Sequence, residues 1–249
     1  MSKPTPANDP YQADELEMLF EDPATAVNTH LSSKATSLNY LRFADEVKRF
    51  VPSGSVLDWG SGRGQMSWLL NRRGLDITSY DVEDKRDPRF IMPDVPFVRA
   101  AHPTELPWPE ASFAGLLSCG VLEHVPDDQA SLAEIFRVLQ PGGCLFIYQL
   151  PQVYAYTEFI NRARGLWYHD RRYTLSRTRR MLEQAGFSVV IARRHNFFPK
   201  NLTGLPVRTR QFYNRQEPAF TAVENVLVKI PMVNWLCHSL ELVAQKRQA

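Results

Sequence analysis

The chain has 249 residues, 44% of them hydrophobic and 22% charged, and a formal net charge of +2. That size and balance suit one α/β domain with embellishments or two small domains. The sequence excludes an obvious membrane-spanning protein, because no run approaches the roughly 18 apolar residues of a span.

The opening residues, MSKPTPANDP, lack the apolar segment of a secretory signal, so a cytoplasmic location is expected. Cys119, Cys144 and Cys237 each stand alone among apolar neighbours. No pair has metal-ligand spacing, and free thiols in a reducing compartment are expected. Charge is unevenly spread. Between Pro151 and Arg215, twelve Arg and one Lys face three acidic residues, a net of +10, so the remainder of the chain carries −8. Such asymmetry points to an anionic ligand or to a solvated basic face.

Residues 1–27 are expected as a flexible lead-in, polar and proline-rich at its start, although YQADELEMLF within it already shows helical spacing. SLNYLRFADEVKRFV continues as an amphipathic helix. SGSVLDWG is a turn running into a short apolar strand. RGQMSWLLNRRG reads as a helix stopped by Gly74. LDITSYD, PFVRAA and SFAGLLSCGV follow as strands. Asp127 or Asp128 caps a helix through QASLAEIFRVL, which QPGG ends. CLFIYQL is a strand, LSRTRRMLEQAGF a helix with Gly186 at its end, and SVVIARRH and LELVAQ are the last two strands.

Strands alternating with helices of this length predict βαβ units, a largely parallel sheet and helices on both faces. Ligands of such sheets bind just beyond the carboxyl ends of the strands. Two stretches break the alternation, 152–172 and 196–235, and both are long enough to cover a substrate. The expectation is a single domain over 28–249 with these two helical cover insertions.

The stretch VLDWGSGRG places Gly60, Gly62 and Gly64 after a strand and before a helix. The dinucleotide fingerprint GxGxxG would need a glycine at Gln65, and the Lys-Ser or Lys-Thr of a phosphate loop is missing. Asp58, two residues before the first glycine, would repel a pyrophosphate but favours a cationic ligand. Asp81 ends the second strand, about twenty residues on, where a carboxylate accepts from both ribose hydroxyls. A nucleoside with a cationic tail fits this set best.

Together with YD at 80–81, TELPWPEASF, CGVLEHV and EIFRVLQPGG, this loop resembles the class I S-adenosylmethionine-dependent methyltransferases, in the small-molecule branch called methyltransferase type 11. The resemblance covers roughly 50 to 195. It implies a Rossmann-like, doubly wound, mostly parallel seven-stranded sheet. It also implies S-adenosylmethionine as cofactor, S-adenosylhomocysteine as product, and no metal. Asp58 and the Gly60–Gly64 backbone, with Ser61, would cradle the methionine part. Asp81 would hold the ribose, Val82 and Glu83 would lie near the adenine, and Cys119 and Gly120 would floor the sulfonium. Relatives usually carry Asp shortly before LPWP to accept from the adenine amine. Here His102 stands in that place, so either its neutral ring or a main-chain carbonyl would accept.

For the acceptor, His124 in LEHV is the candidate base, with the orientation of a neighbouring loop as its competing role. Glu123 either orients His124 or caps local structure, and His169 in WYHDRRYT is a second catalytic candidate. Tyr154, Tyr156, Trp167 and Tyr168 would line an acceptor pocket or simply pack. Arg171 and Arg172, with Arg162, Arg164, Arg208 and Arg210, suit phosphate or carboxylate oxygens. These residues predict methyl transfer to a small-molecule or glycan acceptor, on oxygen and anionic, as in polysaccharide, lipid-linked glycan or natural-product pathways. RNA methylation through the basic face is disfavoured, because no stacking aromatics accompany it. A non-catalytic binding protein is the reading from outside enzymology. VENVLVKIPMVNWL fits peripheral contact with a membrane surface or, as the expected outcome, packing as the last helix before the final strand.

Overall fold

The structure, a computed structural model, describes residues 10–26, 29–165 and 169–247. Seven strands form one sheet in the order β3-β2-β1-β4-β5-β7-β6. They are β1 (Ser55–Trp59), β2 (Asp76–Asp81), β3 (Phe97–Arg99), β4 (Phe113–Cys119), β5 (Leu139–Pro151), β6 (Phe187–His195) and β7 (Ser239–Lys246). β1 to β5 pair in parallel, while β7 lies antiparallel between β5 and β6.

Both faces of the sheet are covered, so its strands read as continuous apolar runs. Alternate residues feed alternate cores, because successive side chains in a strand point to opposite faces. On one face, Val56, Leu117, Phe146 and Tyr148 pack with Phe43 of α2 (Lys34–Phe50) and Leu69 of α3 (Gln65–Arg72). On the other, Leu57, Leu116, Leu145 and Ile147 pack with Leu132 of α4 (Asp128–Val138) and Leu182 of α6 (Leu175–Gln184). Phe43 stacks on Tyr148 with ring centroids 4.1 Å apart.

The capping signals act as the residue types suggest. Asp127 accepts from the backbone N–H of Gln129 and Ala130, both at 3.0 Å, and so starts α4. Gly74 and Gly186 take φ of +71° and +98° after α3 and α6. α4 ends at Val138, just before QPGG, as expected. β5 begins at Leu139, directly after α4, because Leu139 pairs with Phe113 across an irregularity in the ladder.

The span expected as a flexible lead-in is corrected for its described part. Residues 10–19 form α1, in which Leu19 is buried and Glu15 pairs with Arg73 at 3.1 Å. The apolar spacing noted in YQADELEMLF thus serves packing against α2. The insertions expected at 152–172 and 196–235 hold α5 (Tyr156–Ala163), α7 (Val207–Arg215) and α8 (Glu217–Leu227). The second insertion is tied to the start of α2. Asn214 accepts from the Lys34 N–H at 3.0 Å, and Thr36 donates to the Lys200 carbonyl at 2.8 Å.

A buried ionic network joins α2 to the last two strands. Glu241 accepts from Arg42 at 2.6 and 2.9 Å and from Arg193 at 2.7 Å. Arg193 also donates to both oxygens of Glu46, and Tyr148 donates to the same carboxylate at 2.9 Å. Burial works to raise the Glu241 carboxyl, but Arg42, His195 and Arg193 together hold it at about 2.

Candidate active site

The strand order reverses between β1 and β4, where the crevice of a doubly wound sheet is expected. A cleft of about 520 Å³ opens there. Its floor and walls come from the ends of three strands: Asp58 and Gly60 after β1, Asp81 and Val82 after β2, and Cys119 and Gly120 after β4. Ser61, Gly62 and Gln65 add to the lining, as do His30 and Tyr40.

The glycine loop is held by backbone geometry that side chains cannot share. Gly60, Gly62 and Gly64 have φ of +74°, +52° and +84°. Gly60 and Ser61 donate to the Tyr80 carbonyl, which ties the loop to β2. A Cβ on Gly60 would lie 2.3 Å from Cγ2 and 3.2 Å from Cβ of Val121, so no Val121 rotamer clears it. A Cβ on Gly62 would meet nothing nearer than 4.0 Å, so that position opens toward the ligand side of the loop. Gly60→Ala is therefore expected to lose about 3 kcal/mol of stability in urea unfolding, from the left-handed backbone and the clash together. An unchanged midpoint would show that the turn tolerates a methyl group.

Asp81 uses both oxygens on the loop itself, accepting from Gly62 N–H at 2.8 Å and from Val82 N–H at 2.7 Å. Asp58 lies behind the loop and is 1% exposed. Ser67 donates to it at 2.6 Å, and burial raises its carboxyl to about 6 despite that bond. Ser61 Oγ and Gln65 Oε1 are buried with no hydrogen-bond partner among the described residues. Two orphaned oxygens at the wall of a cleft await a polar ligand, since buried polar groups are otherwise paired. The Cys119 thiol is pushed well above its ordinary range by burial, and so floors the cleft as a neutral group.

A neighbouring slot lined by Tyr80, Asp81, Val82, His102, Pro103 and Leu106 continues from the cleft. His102 stands where the adenine contact was expected, but its acceptor nitrogen is already used. Its Nδ1 accepts from Glu105 N–H at 3.0 Å and faces Thr104 N–H at 3.3 Å. With Nδ1 accepting, a ring proton sits on Nε2, which lies 3.9 Å from Glu105 Oε1. Of the two acceptors expected for an adenine amine, the His102 ring and a main-chain carbonyl, the turn occupies the ring's Nδ1.

A second cavity, of about 780 Å³, adjoins the cleft, and His124, Val125 and Pro126 line both. Glu123, His169, Asp170, Arg171 and Arg177 complete it. His124 and His169 face each other with ring centroids 6.3 Å apart. Burial and the His169 charge lower the His124 pKa, which favours its neutral, proton-accepting form. His169 is held from behind by Glu158, which accepts from its backbone N–H at 2.9 Å and lies 2.8 Å from its Nδ1. Burial would raise the Glu158 carboxyl, but these hydrogen bonds keep it below its ordinary range.

Glu123 Oε2 is buried without a partner among the described residues, and burial raises the carboxyl to about 7. The folded state therefore binds more protons here than the unfolded chain does. Stability through this group falls as pH rises from about 4.5 to about 7, by about 3 kcal/mol. Glu123→Gln is expected to gain about that much on the parent between pH 5 and pH 8 in urea unfolding. A pH-independent difference between the two would show that Glu123 does not carry the shift.

Other expected acceptor residues are placed elsewhere. Arg171 donates to the main-chain carbonyls of Val125, at 2.5 Å, and Pro126, at 3.2 Å. It thus fixes the loop after His124, in contrast to the expected anion-receptor role. Arg172 is half-buried beside it. Tyr154 stacks on Trp235 at 5.6 Å and Tyr156 lies tilted against Phe197 at 5.7 Å, so both pack against aromatic residues of the cover. Trp167 and Tyr168 lie outside the described residues. Tyr40, Gln65 and His30 were not anticipated in the cleft, nor Glu158 behind His169. Tyr40 reads as an ordinary apolar position of an amphipathic helix, and no spacing signal marks Glu158.

Sheet order, glycine loop and paired carboxylates define the class: a Rossmann-like α/β fold whose cleft lies at the topological switch. Residues 57–147 match the type 11 family model, described as a methyltransferase domain. A demethylmenaquinone methyltransferase of Renibacterium salmoninarum is 29% identical over 160 residues, 60% of this chain and 67% of that protein. A ubiquinone biosynthesis O-methyltransferase of Paramagnetospirillum magneticum is 37% identical over 94 residues, 36% of this chain and 37% of that protein. Among solved structures, a Burkholderia thailandensis 1,6-didemethyltoxoflavin-N1-methyltransferase with bound S-adenosylhomocysteine shares the fold. Its TM-score is 0.55 and its identity 20%, over 99% of this chain and 94% of that one. Among the described residues, no group of three or more His, Cys, Asp or Glu is arranged to hold a metal ion.

Proposed function

We propose that the protein transfers a methyl group from S-adenosylmethionine to an oxygen nucleophile of a small-molecule acceptor bound in the cavity beside His124. The observation that carries this reading is the shared wall: His124, Val125 and Pro126 line both the cofactor cleft and the second cavity. The relatives named for demethylmenaquinone and for O-methylation in ubiquinone biosynthesis support a small, quinone-type acceptor.

The cleft fits the cofactor. Its orphaned Ser61 and Gln65 oxygens suit the amino acid end, and the Asp81 carboxylate suits the ribose hydroxyls. When bound, S-adenosylmethionine supplies a methyl group on a sulfonium, already activated toward in-line displacement. What the chain adds is position and one proton acceptor. Asp58, ionised above about pH 6, favours positive charge in the cleft. His124 takes the proton of the acceptor hydroxyl as it attacks. The His169 ring, fixed by Glu158, orients the acceptor at the far wall. Arg177 also lines this cavity and suits an anionic group on the acceptor.

Incubation with methyl-labelled S-adenosylmethionine and fractionated cell extract tests the reading. Label should appear in a small, organic-extractable product whose mass rises by one methylene, on oxygen by fragmentation. Label confined to glycan polymer or RNA would replace it with the corresponding alternative.

A further inference from the structure

Two helices of the cover are inside out for a surface in water. α5 buries Glu158, at 1% exposure, and exposes Phe159 at 80% and Ile160 at 47%. α8 buries Glu217 and Glu224 and exposes Val223 and Val226. A water-facing helix shows the opposite order, with charge out and apolar residues in. The buried glutamates are satisfied. Glu224 pairs with Lys200 and accepts from Phe198 N–H, Glu217 accepts from Thr221, and Glu158 holds His169.

The exposed apolar residues form a strip. From Val226 the chain runs through exposed Ile230 and Met232 to Trp235, which stacks on Tyr154 just before α5. Met232 is 80% exposed and sits at a φ of +69°, at the tip of this connection. Charge on the same stretches is one-sided. All three acids of 153–164 and 205–236 are the buried glutamates, whereas Arg164, Arg208, Arg215 and Lys229 are exposed.

We propose that this strip docks the protein on the surface of an anionic lipid bilayer. Apolar side chains flanked by basic ones match an interface whose headgroups are negative and whose interior is apolar. A second copy of the chain fits poorly, since it would bring like charges together. Among the described residues no helix is long and apolar enough to cross a membrane, so the contact is peripheral. It would also set the second cavity at the lipid surface, because the buried side of α5 holds His169 at that cavity's wall.

Co-sedimentation of the full chain with phosphatidylcholine vesicles, with and without phosphatidylglycerol, tests the proposal without reference to methyl transfer. The parent should bind only the anionic vesicles, and less as salt rises. Arg164→Gln and Lys229→Gln should each weaken binding about fivefold. Phe159→Ser with Met232→Ser should weaken it about tenfold or more, with cofactor binding and melting temperature unchanged. Both positions are solvent-facing, so folding survives these changes. A parent that ignores anionic vesicles would overturn the proposal, as would variants that bind like the parent. A concentration-dependent dimer abolished by Phe159→Ser and Met232→Ser, without vesicle binding, would assign the strip to a second copy instead. Capture of a soluble acidic protein without vesicle binding would also overturn it. Loss of cofactor binding in the parent would count against the methyltransferase reading alone.

Discussion

Asp81→Ala is expected to weaken S-adenosylmethionine binding at least about a hundredfold, measured by calorimetry. Two losses combine. The ribose hydroxyls lose a charged acceptor, and hydrogen bonds to charged groups contribute about 1.5–3 kcal/mol each. Gly62 N–H and Val82 N–H also lose the partner that shapes the loop, at 2.8 and 2.7 Å. Asp81→Asn should lose nearly as much, because its amide nitrogen must face one of those two N–H groups. An Asp81→Ala protein that binds as tightly as the parent would remove the ligand from this cleft. Thermal unfolding read in parallel separates loop disorder from lost ligand contact, since cofactor should raise the melting temperature of the parent only.

His124→Ala should leave cofactor affinity within a few fold and lower turnover by about 10²–10⁴. The low pKa imposed on His124 by burial and by the His169 charge has a kinetic signature. The acid limb of kcat should lie below the ordinary imidazole range. His169→Ala removes the neighbouring charge, so its acid limb should move up toward that range. Turnover unaffected by His124→Ala would leave positioning alone to carry the reaction. An acid limb unmoved in His169→Ala would show that the two rings do not interact.

The glycine loop and its two carboxylates were legible because their demands are local. Three glycines at positive φ after a strand, with Asp58 before them and Asp81 one βα unit later, carry constraints that neighbouring residues must meet. The parallel core was legible too, since strands buried on both faces show as apolar runs separated by capped helices. The second cavity was less so. His124 and Glu123 follow a strand end, but Glu158 and Arg171 act across 11 and 46 residues of sequence separation. His102 was read by alignment position, whereas its role follows from a turn that captures Nδ1. The cover misled most. VENVLVKIPMVNWL was expected to pack its apolar side inward, and α8 instead buries Glu217 and Glu224. Periodicity marks the two sides of a helix but not which of them faces the protein.

The ionic network under the cleft bears on how the protein is made. Arg42 stands near the beginning of the chain and its partner Glu241 near the end, 199 residues later. Glu46 likewise waits for Arg193. At synthesis rates of about 5–20 residues per second, the α2 residues emerge roughly 10–40 s before Glu241. During that interval Arg42 lacks its carboxylate partner, and Glu46, until Arg193 emerges, has Arg49 of its own helix as counterion, 3.2 Å away. The nascent chain therefore completes this tie between α2 and the last two strands only once β7 has emerged. Premature termination before β7 would leave the glycine loop written into the chain and Arg42 without its carboxylate partner.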